Sequence, residues 1–165
     1  MEEDIKEIIV ITVYWIHLIA TTIWIGGITF ILFIALPSSK DVLGAESGKL
    51  IGEISKRFTS LANYCIVTLV VTGFTLAWLG KLSSEIAFLE NDWAMILILK
   101  LILVFTMVSI HFYRSLVLTP KIMRTETDPE KASLQKVSLN LVKVNFMLGL
   151  SILLLSGALS VLRGY

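Results

Sequence analysis

Charged residues and cysteine are both scarce in this sequence, and each scarcity excludes a class of protein. Only 16% of the 165 residues are charged and 56% are hydrophobic. With a mean hydropathy of +0.84, that composition excludes a soluble globular domain. The single cysteine, Cys65, excludes an internal disulfide. The formal net charge of +1 gives no sign of a nucleic-acid partner.

Long apolar runs make up most of the sequence. A bilayer is crossed by about 20 apolar residues, and four segments are long enough: residues 8–36, 58–79, 93–118 and 141–162. The chain begins Met-Glu-Glu-Asp, without the basic region of a signal peptide, so we interpret the first run as a retained helix. The sequence predicts an all-α integral membrane protein, an antiparallel four-helix bundle that forms one domain over residues 1–165.

Lysine and arginine are distributed unevenly between the two predicted sides of the membrane. Four spans put both termini and the loop near Lys81 on one side, with three basic residues. The loops 37–57 and 114–140 lie on the other side with ten, counting Lys143 at the start of span four. Excess lysine and arginine mark the cytoplasmic side, so both termini are predicted outside the cell (inner) membrane. Apolar stripes in the two basic loops predict amphipathic helices that extend spans two and four into the cytoplasm.

His17 is the one residue of the first apolar run that can ionise near neutral pH. An ionisable side chain within a membrane helix is costly, so it marks a functional site by default. Thr21 and Trp24 follow at spacings of four and seven and share its face. Gly27 lets a neighbouring helix approach closely. We therefore expect this face of span one to hold a ligand.

The polar residues of the other spans fall at two depths. With a rise of about 1.5 Å per residue, Lys100 lies within a few Å of the depth of His17, whereas His111 lies roughly 20 Å deeper. His17 and Lys100 therefore define an outer level. His111, Asn63 and Asn145 define an inner level, which could serve a second haem or a quinone.

Each of these polar residues also has a structural interpretation. His17 could bond a facing carbonyl or threonine. Lys100 could extend its ammonium to the outer interface. His111 could be an interfacial histidine, and Cys65 and Met147 fit a packed core better than a ligand set. Under these alternatives, the same residues have structural roles and bind no ligand.

Three pairs of landmarks recur along the chain at nearly one spacing. They are His17 with Lys100 and Pro37 with Pro120, both 83 residues apart, and Thr72-Gly73 with Ser156-Gly157, 84 apart. The recurrence predicts a duplicated unit of helix, basic loop and helix, with the halves as parallel repeats about the membrane normal.

Two membrane families resemble this chain. His17-x6-Trp24-x-Gly-Gly27 resembles the start of the CopD-type copper-resistance membrane domain and of the HemJ-type protoporphyrinogen oxidase family. Lys100-Leu-Ile-Leu-Val and His111-Phe-Tyr113 are similar to a HemJ-type segment, and the first of them also to the CopD type. Span four has no Asn-Glu-x-Pro, a departure from the HemJ type that favours the broader CopD-like group. The HemJ-type resemblance implies b-type haem at the positions matching His17 and Lys100, and the CopD-type resemblance implies copper uptake or tolerance.

Three functions remain open from the sequence. In the first, a helix bundle carries haem b between facing helices, with His17 as iron ligand and Lys100 as opposite ligand or propionate partner. Gly26, Gly27 and Gly73 leave room for it, and His111 is a further candidate ligand. In the second, copper binds, although the cysteine and methionine ligands that copper prefers are scattered. In the third, the chain is an accessory subunit of a redox complex. Predicted partners are the bilayer, a membrane redox protein or quinone, and a second copy of the chain.

Overall fold

The computed structural model describes residues 2–79 and 92–162. Within these residues the chain is helical almost throughout and contains no strand. The α-helices are α1 (Glu2–Phe30), α2 (Leu36–Leu43), α3 (Ser47–Leu79), α4 (Asp92–Tyr113), α5 (Thr119–Arg124) and α6 (Asp128–Leu162). Four helical stretches are long and apolar enough to cross a membrane: Glu3–Leu43, Ser47–Leu79, Met95–Arg124 and Pro129–Val161. The predicted all-α membrane fold with four spanning helices is confirmed.

The helices form two compact units, Met1–Ile86 and Ala87–Tyr165. In the first unit α1 packs against α3, and in the second α4 packs against α6. We call these the first and second hairpins. Trp24 and Ala62 are buried in the first, and Met107 and Asn145 in the second.

Apolar side chains also cover the outside of both hairpins. Phe74 in α3 is 70% exposed, and Phe105 in α4 is 75% exposed. Such contiguous apolar surface is incompatible with water but matches lipid tails. The outer faces of the hairpins therefore place the chain in a bilayer, as a multi-pass membrane protein.

The two basic connections are mostly helical. The chain continues past Pro37 through α2, and it turns at Gly44, whose φ of 51° lies in a region that favours glycine. Helices α3 and α6 then run for 33 and 35 residues, about 50 Å each, against a hydrocarbon core of about 30 Å. The predicted continuation of the amphipathic helices into spans two and four is confirmed, and the helix of span one also continues past Pro37 into the first basic connection.

A π-helical turn explains how each hairpin passes its proline. The turns are Ile31–Ala35 and Arg114–Leu118, and the residue after each donates its N–H to a carbonyl five residues back. Proline lacks an N–H and crowds the carbonyl four residues back, and the wider turn accommodates it without ending the helix. The two turns are 83 residues apart, like the prolines, so the element order itself repeats and supports the predicted duplication.

Candidate functional site

The His17 side chain is fixed across the first hairpin. Its Nδ1 lies 2.7 Å from the hydroxyl oxygen of Thr72 on α3, a hydrogen-bond distance. Thr72 is 7% exposed, and His17 is half-buried. The structural alternative from the sequence, a bond to a facing threonine, is therefore present. The ring atom that it engages is Nδ1.

The Thr72 hydroxyl makes a second, shorter contact within its own helix. It donates to the carbonyl of Thr68 at 2.6 Å, and the Leu69 carbonyl lies at 3.4 Å. His17, Thr72 and Thr68 thus form a linked chain of polar atoms inside an apolar hairpin. Because no bulk water reaches a bilayer core, such a chain keeps its geometry.

Gly73 faces the imidazole from α3. A Cβ built on Gly73 would be 3.6 Å from His17 Cε1, an ordinary van der Waals contact. An alanine would therefore fit at this position, and the observed contact that positions the ring is the one with Thr72.

Gly27 gives the close approach between helices that the sequence predicted, but not the room for a cofactor. A Cβ built on Gly27 would lie 2.8 Å from Phe58 Cδ2, far inside contact distance. The space expected there for a flat cofactor is filled by the Phe58 ring, so Gly27 serves close packing between α1 and α3. A Cβ on Gly26 would meet nothing within 4 Å.

Thr21 and Trp24 lie on the His17 face of α1, as their spacing predicted. The Thr21 hydroxyl donates to the His17 carbonyl at 2.8 Å. Trp24 is 4% exposed and packs in the core of the hairpin. As contacts of a cofactor, both remain predictions.

The second hairpin carries Lys100 and His111 on the inward face of α4. Lys100 is half-buried, and Met107 and His111 are 2% and 7% exposed. Eleven residues of helix separate Lys100 from His111, about 16 Å. These two side chains therefore lie about three helical turns apart on α4. The depth match between His17 and Lys100 remains a prediction.

Asn145 joins the inner level through a bond to the main chain of α4. Its Nδ2 donates to the Met107 carbonyl at 3.3 Å, which in α4 also accepts the N–H of His111. Asn145 is 4% exposed, and its Oδ1 is buried with no hydrogen-bond partner among the described residues. The second hairpin thus brings Asn145 beside the His111 turn and leaves one acceptor for a further donor.

The other residues considered for the inner level lie on α3 and α6. Asn63 is half-buried on α3, in the other hairpin from His111. Met147 is 60% exposed, so it does not lie in the packed core of its hairpin, where the sequence analysis expected it. Cys65 is a buried free thiol on α3. Within residues 2–79 and 92–162 no three His, Cys, Asp or Glu side chains group closely enough to hold a metal ion.

Sequence reasoning missed Thr72 and Phe58 as determinants of this site. Thr72 serves in the sequence analysis only as a landmark of the repeat. A hydroxyl next to a glycine in an apolar span is itself a signal for a close polar contact. Phe58 carries no comparable signal, because its partner depends on how α1 and α3 align.

One family model matches the chain, and its description is copper resistance protein D. The match covers residues 52–159, about two thirds of the sequence, and takes in most of α3 and α6 and the whole of α4. It begins after α1, so His17 lies outside it. No curated protein and no solved structure matches the chain.

Proposed function

The chain belongs to the copper resistance protein D family of membrane proteins, and from that starting point we propose that His17 holds a redox-active metal centre, haem b. The observation that supports the proposal is the bond between His17 Nδ1 and Thr72. It orients an imidazole, a side chain that can ligate haem iron, within a membrane span.

Haem suits a site with one positioned imidazole. The porphyrin itself supplies four nitrogens to the iron, so the protein needs to add only one or two ligands. His17 would be the first, and Lys100 would be the opposite ligand or the partner of a propionate. Thr21 and Trp24, on the same face of α1, would border the group.

A bound haem b supplies one-electron chemistry to the membrane interior. His17 would hold the iron, and the apolar side chains of the first hairpin would exclude water from it. The proposed function is therefore electron transfer, or oxidation of a small membrane-soluble substrate. The proposed place is the cell (inner) membrane with both termini outside, because of the basic loops.

Copper transport or tolerance is the second candidate, and family membership is the observation that favours it. Imidazole and thiolate are both suitable copper ligands. The first hairpin offers each of them inside the membrane, with His17 on α1 and the buried Cys65 on α3. In this alternative copper is the cargo or the regulated ion.

A reduced-minus-oxidised visible spectrum of the purified protein, with metal analysis of the same sample, tests the proposal. Sharp haem α-bands with iron near one per chain are the expected result. Bound copper without these bands would favour the second candidate. A sample with neither would favour an accessory subunit and contradict the proposal.

A further inference from the structure

We propose that Thr72 is a positioning residue that fixes His17 in the tautomer protonated at Nδ1, so that Nε2 is the coordinating atom of the site. The claim about the tautomer of His17 concerns the protein without any cofactor. The claim that Nε2 is the coordinating atom rests on the proposed function. The two claims can therefore fail separately.

The Thr72 hydroxyl has a single hydrogen to donate. The Thr68 carbonyl has none, yet it lies 2.6 Å from Thr72 Oγ1. Two oxygens at that distance need a hydrogen between them, since otherwise their lone pairs would face each other. The hydroxyl hydrogen therefore points to Thr68.

His17 must then supply the hydrogen for its own contact. Its Nδ1 is 2.7 Å from the same Thr72 oxygen, whose hydrogen is already committed. A short contact between the two atoms requires an N–H on Nδ1 that donates to the hydroxyl lone pair. A neutral imidazole carries one N–H, so the lone pair of His17 is on Nε2.

Other threonines in these spans also donate their hydroxyl hydrogen to the carbonyl four residues earlier in the same helix. Thr75 donates to the Val71 carbonyl at 2.8 Å, and Thr12 donates to the Ile8 carbonyl at 2.8 Å. In an apolar medium a helical threonine satisfies its hydrogen within its own helix. What distinguishes Thr72 is the imidazole that uses its remaining lone pair.

The arrangement matches how proteins prepare a histidine for a metal. A ligating histidine donates its other ring N–H to an acceptor, which sets the tautomer, orients the ring and raises the basicity of the coordinating nitrogen. Thr72 would thus act on the cofactor through His17 without touching it.

The tautomer can be measured directly on cofactor-free protein by 15N NMR of the histidine rings. The chain has two histidines, so His111→Gln leaves one set of ring signals to assign. We expect His17 to carry its proton on Nδ1 in the parent protein and in Thr72→Ser. In Thr72→Val, which keeps the shape and removes the acceptor, the proton should move to Nε2 in most molecules. Thr75→Val, on the same helix, should change nothing.

A titration with ferric protoporphyrin IX tests the consequence for binding. Thr72→Val should weaken the affinity about 10–100-fold, the usual effect of losing the acceptor behind a ligating histidine. Thr72→Ser should restore it, and thermal unfolding should confirm that each variant is folded.

The outcomes separate the two claims. A parent protein with the His17 proton on Nε2, or a Thr72→Val variant with the proton still on Nδ1, would overturn the positioning role whatever binds. If Thr72→Val moves the proton but binds the porphyrin as tightly as the parent, Nε2 is not the coordinating atom. A parent protein with the proton on Nδ1 that binds no porphyrin would support the tautomer and contradict the haem.

Discussion

Gly27 and Phe58 show how a single missing side chain shapes the first hairpin. The Phe58 ring occupies the space where a Cβ of Gly27 would lie, so Gly27→Ala should force the ring or the helix to shift. Overpacking of this kind costs about 1–3 kcal/mol. Unfolding of the purified protein in mixed micelles should show a loss of that size.

The neighbouring glycine is the matched control. A Cβ on Gly26 meets nothing within 4 Å, so Gly26→Ala should leave stability unchanged or raise it slightly, since alanine favours helix. Equal losses from the two substitutions would show that the contact with Phe58 is not what Gly27 provides.

At the residue scale, the sequence predicts which side chains share a helix face better than it predicts which side chains bond to each other across helices. The spacing of His17, Thr21 and Trp24 alone places them on one side of α1, because helical periodicity is local. The bond from His17 to Thr72 joins residues 55 apart. Its formation depends on the alignment of α1 with α3, which no local pattern specifies.

At the scale of elements, the second hairpin carries polar groups that its packing does not need. Ala62, which is fully buried in the first hairpin, stands 83 residues before Asn145 and takes the corresponding place in the repeat. Packing of two such helices is therefore achieved with a small apolar residue. Asn145, whose Oδ1 has no hydrogen-bond partner within residues 2–79 and 92–162, has a polar role that the fold itself does not require.

Asn145→Leu should therefore stabilise the protein when it is free of ligand. The substitution loses one hydrogen bond to Met107, worth about 1 kcal/mol, but removes a buried acceptor whose desolvation costs about 1–3 kcal/mol. We expect a gain of roughly 1 kcal/mol, measured by unfolding in mixed micelles. Asn140→Leu, an exposed position on the same helix, is the control. A loss of stability in Asn145→Leu would mean that Oδ1 has a structural donor in the folded protein.

The prolines show where element boundaries could and could not be predicted. Pro37 and Pro120 mark real breaks in the α-helical pattern, at the same place in both hairpins. A proline inside a helix usually ends or kinks it, because it removes a backbone donor. The π-helical turns before them keep the helix going, and that outcome depends on backbone relaxation that residue propensities do not describe.

At the scale of the whole molecule, the four spans follow from composition alone, since about 20 apolar residues are enough to cross the bilayer. The direction of insertion is a separate question, and the excess of lysine and arginine in loops 37–57 and 114–140 predicts the answer. Both termini should face outward.

Labelling of introduced cysteines tests this orientation. Cys65 is first replaced by alanine, and single cysteines are then placed at position 81, outside the described residues, or at position 131 in α6. In intact cells a membrane-impermeant maleimide should label Lys81→Cys and leave Lys131→Cys unlabelled until the cells are opened. The reverse pattern would show that the termini are cytoplasmic.

The central claim is that His17 holds a haem, and the haem content of His17→Ala tests it most directly. The parent protein, His17→Ala and His111→Ala are purified side by side, and iron, porphyrin and the reduced-minus-oxidised spectrum are measured in each. His111 lies in the other hairpin, and the helical rise predicts a deeper level for it, so His111→Ala should keep the spectral signal assigned to His17. His17→Ala should lose it. A His17→Ala protein with the haem content and spectrum of the parent would contradict the account.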